Sequence, residues 1–370
     1  MLFVFGTRPE AIKLCPIVLH MQSRPDEFEV RVCVTAQHRE MLDQVLSVFQ
    51  VRPDYDLNVM RANQSLSQVT ARMIAALEPV IAAEQPDMVI VQGDTTTTFC
   101  GALAAFYQRV PVGHVEAGLR TGDLWQPFPE ELNRVLTTRL TKLHFAPTAE
   151  SARNLRADGV ADASIFVTGN SGIDAVLHVR DRLISGGLAG FDAVPLDSGR
   201  KLIVVTAHRR ENFGEGLARL YQAIAQLAER GDVQIIYPVH PNPNVRQPAE
   251  QYLGAIPNVH LIAPQDYVPF VDLMRSSYLL LTDSGGVQEE APSLGKPVLV
   301  LREKTERPEA VEAGTVKLVG TDGEKILAET GALLDDPARY QRMSMMHNPY
   351  GDGQASRRIA DAIACGALTD

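Results

Sequence analysis

Short runs of apolar β-type residues alternate with amphipathic stretches along the whole chain, and this alternation constrains the fold more than any other feature. Runs such as Leu2–Phe5 and Met88–Gln92 are nearly continuous in apolar residues and show no regular alternation with polar ones. Such runs are typical of strands in parallel sheets that are covered by helices on both faces. The sequence therefore predicts a doubly wound α/β architecture.

The apolar runs form two series of six, one in each half of the chain. The first series comprises Leu2–Phe5, Glu29–Val34, Met88–Gln92, Val110–Val115, Leu143–Ala146 and Ser164–Val167. The second series comprises Leu202–Thr206, Val233–Pro238, Val259–Ile262, Tyr278–Thr282, Pro297–Leu301 and Thr315–Leu318. Residues 185–201 are rich in Gly and small side chains, which is typical of a surface connection. We therefore expect two Rossmann-like domains that face a central cleft, with the domain change near this connection or at 168–170.

Composition limits the partners and the compartment. The 370 residues carry 35 basic and 45 acidic side chains, a net charge of −10, which disfavours duplex nucleic acid and anionic membranes as partners. The four dispersed cysteines show no zinc-like spacing and are typical of a reducing compartment. The sequence shows no signal-peptide pattern and no apolar run long enough to span a membrane, so we expect a cytoplasmic protein.

Basic residues follow the first predicted strand, where open α/β sheets bind their ligands. Gly6 permits a tight turn, Arg8 and Lys13 lie at the start of the next helix, and a helix N-terminus attracts anions. These residues predict an anion site, although an ordinary turn with surface charges is the alternative. The turn lacks the glycine pattern of a dinucleotide fold, so no such cofactor is expected.

Carboxylates follow later strands of the first half. Asp94 comes directly after the third predicted strand and Glu116 after the fourth, where an unpaired carboxylate would be costly. Glu130 and Glu131 open the next helix, whose dipole stabilises acids in its first turn, so one of these two has a sufficient structural explanation. The remaining acids are candidates for proton transfer.

The second half supplies cationic and phosphate-binding groups in the corresponding positions. They are His208 and Arg209 after its first strand, His240 after its second, Ser284-Gly285-Gly286 after its fourth, and Arg307 further on. Glu290, in the helix that follows the Ser-Gly-Gly turn, is in a position to face a ribose. A Ser-Gly-Gly turn that leads into a helix exposes backbone N–H groups suited to a diphosphate. Acids in one half and a phosphate site in the other predict proton chemistry on a nucleotide-linked substrate.

Eight blocks in this order span nearly the whole chain. They are Phe5–Lys13, Thr35–Met41, Gly93–Thr98, Gly113–Thr121, Ala207–Asn212, Leu281–Pro297, Thr305–Pro308 and Asn348–Gly353. The chain thereby resembles the bacterial non-hydrolysing UDP-N-acetylglucosamine 2-epimerases, which share the GT-B glycosyltransferase architecture. The resemblance implies an N-terminal domain over 1–169, a nucleotide-binding domain over 170–352, and a helix over 353–370 that crosses back to the first domain. It also implies a homodimer without metal or cofactor.

The resemblance further implies the reversible conversion of UDP-N-acetylglucosamine (UDP-GlcNAc) to UDP-N-acetylmannosamine (UDP-ManNAc), which supplies ManNAc for cell-surface polysaccharides. UDP is eliminated to give a bound 2-acetamidoglucal and is then added back. Asp94, Glu116 and Glu130 are the implied acid and base groups, with no assignment to either face of C2. His208 would stabilise or protonate the departing phosphate.

The implied ligand sites involve further residues. UDP would be bound by Arg8, Lys13, Gln265, Phe270, Ser284, Gly285, Gly286, Glu290 and Arg307. A second UDP-GlcNAc, acting as an activator, would contact Gln37, Arg209 and His240. Three alternatives remain: a GT-B glycosyltransferase, a hydrolysing epimerase and a catalytically idle nucleotide-sugar sensor. The three acids argue against the first and third, and the activator residues argue against the second.

Overall fold

The structure, a computed structural model, describes residues 1–35, 39–61, 63–305 and 307–365. The chain divides into two compact units. Unit 1 consists of Met1–Ala175 with Tyr350–Asp370, and unit 2 consists of Val176–Pro349. Each unit is built around one parallel sheet with helices between successive strands. In the described part of the chain, no helix combines the length and apolar character needed to cross a membrane.

Unit 1 contains a seven-stranded parallel sheet in the order β3-β2-β1-β4-β5-β6-β7. Its strands are β1 (Leu2–Phe5), β2 (Arg31–Val34), β3 (Tyr55–Asp56), β4 (Val89–Gln92), β5 (Val112–Val115), β6 (Leu143–Ala146) and β7 (Ile165–Val167). Its first six helices are α1 (Arg8–Gln22), α2 (Arg39–Phe49), α3 (Leu66–Glu84), α4 (Thr96–Tyr107), α5 (Glu130–Leu140) and α6 (Ala149–Ala157). The prediction of six strands is wrong by one. Strand β3 is a two-residue edge strand, too short to produce an apolar run.

Unit 2 contains a six-stranded parallel sheet in the order β10-β9-β8-β11-β12-β13. Its strands are β8 (Lys201–Thr206), β9 (Val233–Pro238), β10 (Val259–Ile262), β11 (Leu279–Thr282), β12 (Val298–Val300) and β13 (Val316–Leu318). Helix α7 (Ser171–Ile184) enters this unit from the first. The other helices are α8 (Glu215–Ala228), α9 (Pro243–Leu253), α10 (Tyr267–Ser276), α11 (Gly285–Glu290), α12 (Pro308–Glu312), α13 (Gly323–Asp335) and α14 (Pro337–Ser344). The predicted doubly wound α/β class is confirmed.

The apolar periodicity of helix α8 shows how the sequence builds the core of unit 2. Leu217, Leu220, Tyr221 and Ile224 recur at helical spacing, and each is fully buried. This spacing places them on one face of the helix. They pack with Ile203 and other strand residues in a single apolar cluster. The helix is therefore held in place by burial of one face against the sheet.

The strand order of each sheet reverses at one point, between β1 and β4 in unit 1 and between β8 and β11 in unit 2. Ligands of open α/β sheets bind beyond the carboxyl ends of strands at such a reversal. In unit 2 the pairing of Thr206 with Thr282 brings the segments after β8 and β11 side by side. The fold therefore gives each unit one favoured binding edge.

The last described helix, α15 (Ala355–Ala364), belongs to unit 1 although it follows unit 2 in sequence. Its N-terminus is capped by the carboxylate of Asp174, which accepts hydrogen bonds from the backbone N–H groups of Ala355 at 3.2 Å and Ser356 at 2.8 Å. Further along the helix, Asp361 pairs with Arg24 at 2.6 Å. Burial raises the pKa of Asp174, and the hydrogen bonds from Ser356 and Ala355 oppose that rise.

Candidate active site

The first turn of unit 1 is organised by a buried carboxylate, Glu10. Its Oε2 accepts hydrogen bonds from the backbone N–H groups of Gly6 at 3.0 Å and Thr7 at 2.7 Å. Its Oε1 accepts from the hydroxyls of Thr95 at 2.6 Å and Thr98 at 3.3 Å. Burial raises the pKa of Glu10, and these donors oppose that rise. Glu10 thus joins the turn after β1 to the turn after β4, a role the sequence analysis missed.

Glu116 lies at the end of β5 and is held by polar contacts from two neighbouring elements. The ammonium group of Lys13 lies 2.5 and 2.6 Å from its two carboxylate oxygens. The side-chain amide of Gln92, which is buried at the end of β4, donates to Oε2 of the same carboxylate. The Glu116 side chain is only 8% exposed. The structure therefore brings predicted residues Lys13 and Glu116 together and adds Gln92 as a partner.

The backbone of Glu116 adopts a left-handed conformation with φ of 64°. A residue with a side chain occupies this region at a cost of about 1–3 kcal/mol, and such residues concentrate at functional sites. The conformation coincides with the point where the paired carboxylate is held by Lys13 and Gln92. The strain therefore supports a functional role for Glu116, independently of its sequence motif.

Asp94 is held by a guanidinium group from helix α5. The Nε and Nη2 atoms of Arg134 lie 3.0 and 2.7 Å from Oδ2 of Asp94, and Asn133 donates to its backbone carbonyl at 2.9 Å. Arg134 also binds buried Glu131 at 2.9 Å, and Glu131 accepts from the backbone N–H groups of Thr121 and Gly122. Of the two acids that open α5, Glu131 therefore has the structural role.

A buried histidine fixes the turn that carries Asp94. His114 lies on β5, and its Nε2 atom is 2.7 Å from the backbone carbonyl of Gly93. Burial lowers the pKa of His114 to about 3, so the ring is neutral at physiological pH. Since the carbonyl can only accept, the Nε2 atom carries the proton and donates. His114 therefore positions the Gly93-Asp94 turn.

Three further predicted residues lie outside these contacts. Arg8 is half-buried at the start of α1 and Glu130 is half-buried at the start of α5. Within the described parts of the chain, neither side chain forms a hydrogen bond or an ion pair, which leaves both available to a ligand. Gln37, predicted to contact the activator, lies outside the described residues.

In unit 2 the structure brings His208 and His240 together. Their rings stack with centroids 5.6 Å apart and planes inclined by 12°. His208 follows β8 and His240 follows β9, neighbouring strands of the parallel sheet. The Nδ1 atom of His208 also lies 3.3 Å from Oδ1 of Asp283, a fully buried carboxylate at the end of β11. Arg209 is half-buried in the same loop.

The Ser-Gly-Gly turn is overlaid by an arginine from another loop. Ser284 is the N-cap of α11, and its own side chain does not cap the helix. A Cβ atom added to Gly285 would lie 2.9 Å from the Cζ atom of Arg307, so the guanidinium group rests directly against this glycine. Buried Glu289 accepts from the Nε of Arg307 at 2.8 Å and holds it there. The guanidinium of Arg307 thus lies beside the turn at 284–286, whose backbone N–H groups could bind an anion.

The remaining predicted nucleotide residues are only partly brought together. The carboxylate of Glu290 folds back toward Gly286, where an added Cβ atom would lie 3.8 Å from its Oε1. Gln265 donates to the carbonyl of Ala263 at 2.8 Å, and Phe270 is half-buried in α10. Within the described residues, neither Gln265 nor Phe270 forms a hydrogen bond or ring contact with the turn at 284–286.

The arrangement has no evident place for a metal ion. In residues 1–35, 39–61, 63–305 and 307–365, no three His, Cys, Asp or Glu side chains form a group able to bind one. The chemistry available from the described side chains is proton transfer by carboxylates and imidazole, with cations and N–H donors for an anionic leaving group.

Comparisons with known proteins identify the family. The family model described as UDP-N-acetylglucosamine 2-epimerase matches residues 20–364. A curated UDP-N-acetylglucosamine 2-epimerase from Salmonella typhimurium is 57% identical over 367 residues, which cover 98% of this chain and 97% of the relative. The chain belongs to the UDP-N-acetylglucosamine 2-epimerase family. The resemblance inferred from the sequence blocks is therefore confirmed. The assignment of the protein to the isomerases is also confirmed, since an epimerase is an isomerase.

Solved structures agree with the family and the architecture. The UDP-GlcNAc 2-epimerase from Neisseria meningitidis bound to UDP-GlcNAc superposes with a TM-score of 0.86 at 50% identity, covering 98% of each chain. A glycotransferase of kitacinnamycin superposes with a TM-score of 0.65 at 12% identity, covering 98% of this chain and 97% of that one. This second likeness concerns the fold alone and agrees with the predicted GT-B architecture of the epimerase family.

Proposed function

We propose that this member of the family interconverts UDP-GlcNAc and UDP-ManNAc by inverting the configuration at C2. The observation that carries the proposal is the paired carboxylate of Glu116, held by Lys13 and Gln92 at the strand-order reversal of unit 1. A carboxylate in this setting suits proton transfer. A relative named UDP-N-acetylglucosamine 2-epimerase at 57% identity, and a relative solved with UDP-GlcNAc bound, support the choice of substrate.

The proposed reaction is an elimination followed by a re-addition. C2 of the sugar lacks a neighbouring carbonyl, so its proton is not acidic enough for simple removal. A base takes the C2 proton, the C–H electron pair forms the C1–C2 double bond, and the anomeric C1–O bond breaks to release UDP. The 2-acetamidoglucal stays bound. UDP then attacks C1 again while a proton reaches the opposite face of C2, so atoms and charge balance.

Three carboxylates of unit 1 are proposed to handle the proton at the two faces of C2. They are Asp94, Glu116 and Glu130. Asp94 and Glu116 are oriented by Arg134 and Lys13, and Glu130 is half-buried at the start of α5. Two faces require at least two groups, because one side chain cannot deliver and remove a proton on opposite sides of a ring carbon. Arg8 and Lys13 supply positive charge toward the diphosphate.

Unit 2 is proposed to bind the UDP part of UDP-GlcNAc. The Ser284-Gly285-Gly286 turn and Arg307 meet the diphosphate, and Glu290 accepts from the ribose hydroxyls. Gln265 and Phe270 contact the uracil. His208 donates to the β-phosphate as the C1–O bond breaks. Fixed donors stabilise developing negative charge because they need no reorganisation during the reaction.

We also propose that a second UDP-GlcNAc molecule activates the enzyme through Gln37, Arg209 and His240. The stacking of His240 on His208 supports this, because a ligand that moves the first ring also moves the second. The Nε of Arg209 is buried and has no hydrogen-bond partner within the described residues, so this guanidinium keeps one donor unsatisfied. Activation predicts a sigmoidal dependence of the initial rate on UDP-GlcNAc concentration.

A homodimer is proposed for this chain. Unit 1 exposes a set of large apolar side chains on α4, α5 and the segment before α5, namely Phe106, Tyr107, Trp125, Phe128, Leu132 and Leu136. Trp125 is 75% exposed and stacks on Phe128 with ring centroids 5.8 Å apart. Clustered exposed aromatics are typical of protein interfaces.

We further propose a cytoplasmic location and a product destined for surface polysaccharide, in keeping with a nucleotide-sugar substrate and free cysteines.

The test of the proposed function is product analysis. Purified protein is incubated with UDP-GlcNAc in aqueous buffer, and the mixture is followed by ¹H and ³¹P NMR. We expect UDP-GlcNAc and UDP-ManNAc to approach a constant ratio without accumulation of free UDP. Free ManNAc with UDP as the main product would show a hydrolysing enzyme. Unchanged substrate would contradict the proposal, and turnover only with an added acceptor would show a glycosyltransferase.

A further inference from the structure

Asp283 is a fully buried carboxylate at the end of β11, immediately before the Ser-Gly-Gly turn. Its Oδ2 accepts hydrogen bonds from the backbone N–H groups of His208 at 2.8 Å and Arg209 at 2.7 Å. The side-chain amide of Asn212 lies 3.4 Å from the same oxygen. One oxygen of this carboxylate therefore fixes the backbone of the loop that carries His208.

The other oxygen, Oδ1, has a different setting. It is buried and accepts no hydrogen bond within the described residues. The Nδ1 atom of His208 lies 3.3 Å from it. A buried carboxylate oxygen without a donor is costly, and the N–H of the imidazole is the group able to satisfy it after a small rotation. Catalytic hydrogen bonds are often long before a substrate binds.

We propose that Asp283 is a positioning residue that holds the proton of His208 on Nδ1 and thereby directs Nε2 toward the substrate. The inference rests on the proposed function, in which His208 serves the departing diphosphate. The ring with its proton on Nδ1 first takes up a second proton from solvent at Nε2. When the C1–O bond breaks, this imidazolium transfers the Nε2 proton to a β-phosphate oxygen and keeps the Nδ1 proton shared with Asp283. Re-addition of UDP returns the same proton to Nε2, so no further reactant is needed.

The electrostatic surroundings of His208 agree with this assignment. Burial lowers the pKa of His208, and the neighbouring Arg209 and the stacked His240 lower it further. Asp283 alone among these groups raises it. Asp283 therefore counteracts the effect of Arg209 and His240 on the pKa of His208. Without Asp283, the imidazolium would be lost at a lower pH, because every remaining influence disfavours the charged ring.

The discriminating variant is Asp283→Asn. The amide oxygen of the new side chain accepts from the backbone N–H groups of His208 and Arg209, whereas its NH₂ group faces Nδ1. The ring is then driven to the opposite tautomer, with the proton on Nε2. We expect kcat to fall about 100-fold or more, as orienting carboxylates of catalytic histidines do when replaced by amides, while KM changes by less than about threefold.

The ¹⁵N NMR spectrum of His208, assigned with the His208→Gln variant, reports the tautomer of the ring directly. A merely structural role of Asp283 would leave this spectrum unchanged. In the unsubstituted protein we expect the Nδ1–H tautomer. In Asp283→Asn we expect the Nε2–H tautomer and a lower pKa for the ring. Asp272→Asn is the matched control, since Asp272 is another buried carboxylate of unit 2, which accepts from Phe191 N–H and pairs with Arg275. It should alter neither kcat nor the His208 signals.

Two results would overturn the inference. One is an Nε2–H tautomer for His208 in the unsubstituted protein, which decides the matter even if the variant fails to fold. The other is an unchanged tautomer and pKa in Asp283→Asn. Failure of the proposed function is recognised separately, because inactivity of the unsubstituted protein toward UDP-GlcNAc would leave the spectrum of His208 unaffected.

Discussion

Glu116→Gln is expected to lower kcat for epimerisation about 1,000-fold, because an amide of the same shape cannot accept the C2 proton. The substitution keeps the size of the side chain and leaves Gln92 a neighbour able to hydrogen-bond. Binding of UDP, measured by calorimetry, should be retained, since the proposed diphosphate and ribose contacts come largely from unit 2. Loss of turnover with retained UDP binding would show that the carboxylate of Glu116 acts on C2 of the sugar.

The control for this variant is Glu150→Gln. Glu150 lies on helix α6 of the same unit and pairs only with the exposed side chain of Arg153 among the described residues. We expect its activity to remain within about twofold of the unsubstituted protein, because surface pairs contribute little. Turnover by Glu116→Gln at a rate near that of the control would remove Glu116 from the proton-transfer groups.

Glu10→Ala is expected to destabilise the protein by about 3 kcal/mol, since it leaves several buried donors without an acceptor. The affected donors are the backbone N–H groups of Gly6 and Thr7 and the hydroxyls of Thr95 and Thr98. Urea unfolding followed by circular dichroism measures the loss. The same contacts hold the turn after β1 against the turn after β4, so activity should fall even where the variant remains folded.

Two companion variants sharpen this result. Glu10→Gln keeps one carbonyl acceptor and should lose less stability than Glu10→Ala. Glu27→Ala removes an exposed carboxylate just beyond helix α1 that pairs with Arg24, and we expect it to lower the free energy of unfolding far less than Glu10→Ala does, because exposed ion pairs contribute little. If Glu10→Ala were as stable as Glu27→Ala, Glu10 would not organise the two turns.

The sequence was sufficient to predict the architecture because the strands are buried on both faces. Continuous apolar runs such as Leu2–Phe5 mark central strands directly, and every residue of that strand is buried. Strand β3 was missed because two residues on a half-exposed edge produce no periodic signal.

The site was predictable to the extent that strand ends of a parallel sheet meet at one edge. This rule singled out Lys13, Glu116, His208 and His240 as site residues. The structure then brings Lys13 to Glu116 and His208 to His240. It did not reveal the partners that orient them, namely Glu10, Gln92, Arg134 and Asp283. Gln92 resembles any residue at a strand end, and Arg134 resembles any exposed helical cation. Their roles depend on contacts between distant segments, such as the pairing of Arg134 with Asp94, which no local pattern encodes.

The central claim is that the bond between C2 and hydrogen breaks during the reaction, and solvent exchange tests it most directly. UDP-GlcNAc is incubated with the protein in deuterium oxide, and the C2 position is followed by ¹H NMR and mass spectrometry. The account predicts UDP-ManNAc that carries deuterium at C2, with deuterium entering the UDP-GlcNAc pool as the reverse reaction proceeds. Formation of UDP-ManNAc that retains the original hydrogen at C2 would contradict the account.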